Sequence, residues 1–340
     1  MPTLAELGEW GLIAALRERY GAANPEFPDA PDFLGIGDDA TVGTLTPGSK
    51  ALTTVDLLIE GVHFRRHTTS PEDLGWKALA VNLSDIAAMG GTPRWAVIGL
   101  AAPGDTDADW VLGFYAGLHE LARATGTRLA GGDTVGSPGP VMISVTVVGE
   151  TARPLLRSDA RAGDRLFVTG PCGLAAAGLW CMENPDRANS LDREYVNAAL
   201  DAQRKPKPQL NAARAIAGLG VRVALLDNSD GLARSARLLA EANGLDVRLE
   251  QLPLQAATRS IAAQAAIDPR VWALTGGEDY NLVGAIAPAD VPALEAALSR
   301  IGIPLLQIGA LIEGPGRVWM NGPDDQPHEL PGDGDFEHFR

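Results

Sequence analysis

The sequence predicts a two-domain protein of mixed α/β (α+β) class. Three observations lead there. The chain has 340 residues, above the size at which a single core stops growing. It is 46% hydrophobic and 21% charged, a globular composition rather than a disordered or fibrous one. Apolar runs of β character alternate with helical periodicity in both halves, and charged and turn residues rise between Glu150 and Gly163. The domains expected are 1–150 and 151–340.

Each element has a local reason. Leu4, Leu7, Leu12 and Leu16 recur at helical spacing. Phe33 to Ile36 is a short apolar piece before Gly37-Asp38-Asp39. Ala51 to Val55 and Trp95 to Ala101 read as strands. Pro71 opens a helix that ends at Gly90-Gly91, with apolar residues nearly all round, so it is expected to be buried. Asp107 to Thr125 is amphipathic. Thr127 to Ala130 reads as a strand ending in Gly131-Gly132-Asp133, and Val141 to Val148 as another. In the second half, Arg165 to Thr169 is a strand, with helices at about 173–184, 191–203 and 208–219. The strand Val221 to Leu226 leads to Asp227-Asn228-Ser229-Asp230-Gly231, and the helix after it is stopped by Gly244. Asn281 to Ala285, a helix from about Asp290 to Arg300, and Gln307 to Leu311 follow.

The net charge is −15 and no Lys/Arg cluster makes a basic face, which argues against nucleic acid as partner. No window approaches the ~20 apolar residues of a membrane span. The N-terminus lacks the pattern of a signal peptide, and Cys172 and Cys181 fit neither a disulfide framework nor a zinc motif. A cytoplasmic location is expected.

Acidic residues gather after short apolar runs: Asp38 and Asp39, Asp56, Asp133, then Asp227 and Asp230. Strand ends are where open sheets place ligands. A single such Asp is more often a turn or cap residue, but the pattern occurs four times. Asp85 lies inside the most apolar helix, where a carboxylate has to be paired or bind metal. Its bland reading is a salt bridge to Lys77 or Arg94. Carboxylates without Cys or His clusters suit hard cations such as Mg²⁺, and clustered Mg²⁺ suits phosphates. Asp227 to Gly231 fails as an EF-hand, and no P-loop or protein-kinase motif is present. His63 alone reads as structural, Arg157 as a solvated charge or a phosphate clamp, and Glu278-Asp279 as a polar turn. Ser229 and Asp230 read as helix caps or as a phosphate-binding helix start.

Taken in order, the motifs resemble those of the thiamine-monophosphate kinase family in the aminoimidazole-ribonucleotide synthetase superfamily. They are Gly37-Asp38-Asp39, Asp56, Glu60 to Phe64, Lys77 to Asp85, Gly131 to Thr134, Arg157-Ser158, Ser229 to Leu232 and Gly276 to Tyr280. The resemblance runs from about Gly8 to the C-terminal Phe336 to Phe339. It implies a homodimer whose N-terminal sheets form a barrel, an N-terminal domain for ATP and Mg²⁺, and a C-terminal α/β domain that completes the active site. It implies ATP as co-substrate, thiamine monophosphate as acceptor, and several Mg²⁺ ions held by Asp39, Thr54, Val55 (by its backbone), Asp56, Asp85, Asp133, Asp227 and Asp230. Asp85, Asp133 and Asp230 would carry catalysis. Gly132, Asp133, Arg157, Ser229 and Tyr115 would contact ATP, and His63, Glu278 and Phe336 the acceptor. Two positions depart from the family pattern. Val55 stands where Thr is usual, which leaves Thr54 to supply any hydroxyl. Asn228 stands where an apolar residue is usual, a change able to loosen the strand end, and the site is expected to survive both departures. The alternatives are a synthetase or hydrogenase-maturation relative, a selenophosphate synthetase, and a nucleotide-binding regulator with a decayed site. The Glu60 to Phe64 and Gly276 to Tyr280 motifs, the absence of a terminal or early Cys, and the retained acidic positions weigh against them.

Overall fold

The computed structural model describes residues 2–20, 33–36, 40–322 and 326–332. It divides into two units, Met1–Ile86 with Thr92–Ala152, and Ala87–Gly91 with Arg153–Arg340.

The first unit holds α1 (Leu4–Tyr20), β1 (Lys50–Ile59), α2 (Pro71–Ala88), β2 (Thr92–Ala102), α3 (Ala108–Thr125), β3 (Arg128–Gly136) and β4 (Met142–Thr151). Its sheet has the order β1-β4-β2-β3, with β2 and β3 parallel and the other pairs antiparallel. The helices begin where side chains satisfy free amides. Ser70 Oγ accepts from the Asp73 amide at 3.1 Å before α2, and Asp107 Oδ1 accepts from the Asp109 amide at 3.0 Å before α3. Ala96, Ile98 and Leu100 on β2, with Ile143, Val145 and Val147 on β4, form one buried face. Leu74, Leu79, Leu83 and Ile86 of α2 and Phe114 and Leu118 of α3 are also buried. Helices α2 and α3 cross in backbone contact: a Cβ on Gly75 would lie 1.9 Å from the Phe114 carbonyl, and one on Gly117 1.8 Å from that of Glu72.

The opposite sheet face carries the exposed apolar side chains Val55, Leu57, Val135 and Met142, while Trp95 on it packs against Phe33. Several strands run further than sequence suggests, and two of them run through candidate site residues. The β1–β4 ladder continues to Ile59, so Asp56 stands inside the strand rather than after it. β3 passes through Gly131-Gly132-Asp133 to Gly136, because its ladder to β2 continues beyond the glycines. Phe33 to Ile36 is no sheet strand: Leu34 makes an isolated bridge to Val42.

The second unit holds β5 (Arg165–Val168), α4 (Leu174–Glu183), α5 (Pro185–Ala188), α6 (Arg193–Arg204), α7 (Leu210–Ala217), β6 (Val223–Asp227), α8 (Leu232–Asn243) and β7 (Leu245–Leu249). α9 (Ala256–Ala265), α10 (Pro269–Thr275), β8 (Leu282–Ile286), α11 (Val291–Ser299), β9 (Leu306–Glu313), β10 (Val318–Asn321) and β11 (Pro327–Glu329) follow. The strand order is β11-β10-β7-β9-β5-β8-β6. Leu166, Val168, Leu226, Val247, Val283 and Ile308 pack with Leu232, Ala236 and Leu239 of α8 in one core. A second cluster joins α4, α6, α9 and α10 through Ala177, Cys181, Val196, Ala199, Ile261 and Trp272. Gly244 ends α8 in the left-handed conformation, as expected. Asp290 precedes α11 but makes no side-chain cap bond. Both cysteines are free and buried. Among the described residues no helix is long and apolar enough to cross a membrane.

Asp279 shapes the start of α4. Half-buried as a residue, it turns its carboxylate to the amides of Gly173 at 2.7 Å and Ala175 at 3.5 Å. Burial of the carboxyl outweighs these donors and pushes its pKa up to about 7, with the nearby Glu278 charge adding to the rise.

Two outcomes follow from this packing. Gly117→Ala is expected to cost about 2–3 kcal/mol in urea unfolding, since backbone blocks the new methyl; a loss below about 0.5 kcal/mol would show that the helices separate freely. A carboxyl whose folded pKa lies above its unfolded value of about 4 binds its proton more tightly when folded. Its contribution is therefore complete below about pH 4 and is lost as pH rises to about 7. Wild type should lose stability relative to Asp279→Asn across that window, read by denaturant titrations at pH 5 and pH 8.

Candidate active site

In the first unit a side-chain hydrogen bond joins β1 to α2. Thr54 Oγ1 donates to Asp85 Oδ2. Asp85 sits half-buried on a helix that is otherwise almost wholly buried. Of the two basic residues considered for it, Arg94 instead pairs with Glu150 at 3.8 Å. Alternation along β1 puts Asp56 on the same sheet face as Thr54, while Val55 points to the opposite face and is 54% exposed. One turn before Asp85, Asn82 is fully buried; its amide nitrogen donates to the Ala78 carbonyl at 3.2 Å, and its Oδ1 has no partner.

Asp133 lies elsewhere in this unit. It pairs in register with Gly99, and β1 and β3 are opposite edges of the sheet, about 14 Å apart along it at ordinary strand spacing. Thr134, the next residue, hydrogen-bonds the Tyr115 hydroxyl of α3, so Thr134 and Gly132 face the helices and Asp133 faces the opposite side. Asp133 Oδ1 accepts from the Thr134 amide at 2.9 Å. Gly132 is required by close approach: a Cβ there would sit 1.8 Å from the Ile98 carbonyl. Tyr115 is only 7% exposed, and burial pushes its phenol pKa upward. Its ring stacks on Tyr20, with centroids 6.4 Å apart. His63 follows β1. Its Nδ1 accepts from the Ile59 amide at 3.0 Å, which leaves Nε2 as the protonated nitrogen of the neutral ring.

In the second unit Asp227 is the last residue of β6, and Ser229 and Asp230 follow in the loop to α8. The cap position of α8 falls on Gly231, which has no side chain to cap with. The antiparallel pairing of β6 with β8 extends into this loop. The Asn228 amide donates to the Asn281 carbonyl at 2.9 Å, the Tyr280 amide to the Asn228 carbonyl at 3.0 Å, and the Glu278 amide to the Ser229 carbonyl at 2.6 Å. Glu278 and Tyr280 take left-handed φ values of 58° and 49°. Asn228 does not loosen the strand end. It is fully buried, its Oδ1 accepts from Ser235 Oγ at 3.0 Å, and its amide nitrogen donates to Cys172 Sγ at 3.6 Å. Glu278 Oε2 accepts from the side chain of Gln203, on α6, at 2.6 Å.

Arg157 is exposed, and its carbonyl accepts from Asn243 Nδ2 at 2.9 Å. That anchors its backbone at the far end of α8 from Ser229, about 18 Å away along the helix. Asp38, Asp39 and Phe336 lie outside the described residues. Among the described residues, no three His, Cys, Asp or Glu side chains already stand in a metal-binding group. The donors in place are nonetheless the right kind for a hard cation. Thr54 and Asp85 offer adjacent oxygens, and the orphaned Asn82 oxygen lies one turn away.

The polar neighbours Gln203, Ser235 and Asn281 escape sequence reasoning, which notices Asn228 only as a departure from the family pattern. A Gln near the end of a charged helix reads as solvated, and only its burial shows otherwise.

Residues 37–151 match the family described as AIR synthase related protein, N-terminal domain, and residues 161–320 match the C-terminal domain of the same description. The thiamine-monophosphate kinase of Bacillus subtilis (strain 168) is 36% identical over 286 residues, covering 82% of this chain and 86% of the relative. The crystal structure of thiamine-monophosphate kinase from Stenotrophomonas maltophilia K279a superposes with a TM-score of 0.79 at 31% identity, covering 93% of this chain and 97% of that one. AaThiL complexed with AMPPCP and TMP superposes with a TM-score of 0.71 at 29% identity, covering 97% and 99%. Fold, motif order and identity over nearly the whole length agree, and this chain belongs to the thiamine-monophosphate kinase family.

Proposed function

We propose that this protein transfers the γ-phosphate of ATP to thiamine monophosphate, giving thiamine diphosphate and ADP by direct in-line transfer. The observation that carries the reading is the alignment, over 97% of this chain, with AaThiL complexed with AMPPCP and TMP. The acceptor is a phosphate monoester with a second pKa of about 6, so near neutral pH its oxygen is already largely deprotonated. No general base is then needed, which suits units that present carboxylates, hydroxyls and amides. The obstacle is repulsion between two polyanions, and catalysis consists of alignment and charge stabilisation.

In this reading Asp39, Thr54, the Val55 carbonyl, Asp56, Asp85, Asp133, Asp227 and Asp230 hold Mg²⁺. When bound, the ions would neutralise and bridge phosphate oxygens. The Thr54 hydroxyl orients the Asp85 carboxylate. Gly132, Arg157, Ser229 and Tyr115 serve ATP; among the described residues the exposed Arg157 guanidinium has no acidic partner, which leaves it available to an anion. The His63 Nε2–H is a donor suited to a phosphate or ring acceptor, Glu278 is an acceptor for the cationic base, and Phe336 stacks near its rings. The first unit binds ATP and metal and forms the homodimer. Its sheet face away from the helices exposes Val55, Leu57, Val135 and Met142, apolar side chains that a second copy of the sheet would cover. A cytoplasmic location fits this chemistry, since ATP and reduced thiols belong together there.

Incubation with ATP, Mg²⁺ and thiamine monophosphate should yield thiamine diphosphate by chromatography. A chelator should abolish the product, and free thiamine should not replace the monophosphate. Absence of product while ATP still binds would sink the substrate assignment. Asp85→Asn and Asp133→Asn should each lower turnover by about 100-fold or more while the fold survives by circular dichroism. Near-normal turnover in both would remove the carboxylate argument.

A further inference from the structure

The side chain assigned to the acceptor base, Glu278, does not stand alone. Gln203 Nε2 reaches its Oε2 at 2.6 Å. A carboxylate only accepts, so the amide must present its nitrogen there. Gln203 is 5% exposed, at the last turn of α6. Its height is set by packing: a Cβ on Gly178 of α4 would lie 2.0 Å from the Ala199 carbonyl and 2.8 Å from Gln203 Cβ. Trp272 of α10 lies in the same cluster as Ala199 of α6. The Gly276 amide donates to the Trp272 carbonyl at 3.0 Å, which ties the start of the Glu278 loop to that cluster. The Glu278 backbone is held in the left-handed region with its amide on Ser229. Main chain and carboxylate are thus each held from a different element.

We propose that Gln203 is a positioning residue for acceptor recognition: it fixes one oxygen of Glu278 so that the charged carboxylate meets the cationic, amino-bearing base of thiamine monophosphate. A hydrogen bond of this length orients the carboxylate by fixing one of its oxygens. The inference rests on the functional reading given above and concerns the acceptor, not ATP. Removing this donor withdraws one restraint on a half-buried carboxylate, which weakens acceptor binding and leaves the nucleotide untouched.

The test uses the full chain. Gln203→Leu should raise KM for thiamine monophosphate by about 10-fold and weaken its calorimetric Kd equally, with KM for ATP within about twofold of wild type. Gln203→Glu puts two carboxylates in contact, which must share a proton. Its acceptor affinity should improve as pH falls from about 8 to about 6, unlike that of wild type. Adding Gln203→Leu to Glu278→Gln should cost nothing further, because the first acts only through the second. A Gln203→Leu enzyme with unchanged KM for the acceptor overturns the proposal. So do additive losses in the double variant, or an equal rise in both KM values with a lowered Tm, which mark a packing role. A wild-type protein that neither binds nor phosphorylates thiamine monophosphate removes the functional reading itself, whereas an active wild type with an indifferent Gln203→Leu removes only the role of Gln203.

Discussion

The antiparallel ladder between β6 and β8 is the constraint on which the second unit's candidate site depends. It pairs Val223 with Ile286 through to Asp227 with Leu282. It then continues past both strands through the backbone of Asn228, Ser229, Glu278, Tyr280 and Asn281. Two polar loops far apart in sequence become one hydrogen-bonded assembly. The left-handed residues Glu278 and Tyr280 each cost roughly 1–3 kcal/mol, a cost that persists only where surrounding bonds over-determine the backbone. Asn228 adds to that determination from below. Its side chain fills a buried position with a donor from Ser235 and an acceptor sulfur on Cys172, so a polar residue costs little where an apolar one is usual.

The first unit solves a different problem. A carboxylate on a buried helix needs a donor, and Thr54 supplies one from the neighbouring strand. The pleat then sorts the remaining groups. Thr54 and Asp56 share the helix-covered face, while Val55 and Asp133 turn to the other. Acidic residues that look alike in sequence therefore stand on opposite faces and at opposite edges of one sheet. The face away from the helices carries Asp133 as well as exposed apolar side chains.

Much of this fold was legible residue by residue. Pro71 and Gly90 bracket a helix because proline suits the first turn and glycine the left-handed exit. Asp107 and Gly126 bracket another for related reasons. Strand limits were less legible. Gly131-Gly132 reads as the end of a strand, yet here the pair stays in the ladder, and Gly132 lets β3 approach β2 at a distance that no side chain allows. The β1 limit failed in the same way, since the partner that carries it to Ile59 is about ninety residues away.

The sequence by itself determined the family, through a motif order that runs over nearly the whole chain. It also determined the limits of α2 and α3, because capping is a matter of a few neighbouring residues. Tertiary structure alone decided which polar groups meet. Thr54 finds Asp85, Gln203 finds Glu278, and Asn228 finds Ser235, Cys172 and Asn281. It also decided that Asp56 and Asp133 part company within their sheet. Strand register and helix crossing set these meetings, and both are fixed by backbone contacts between segments that local propensity does not connect.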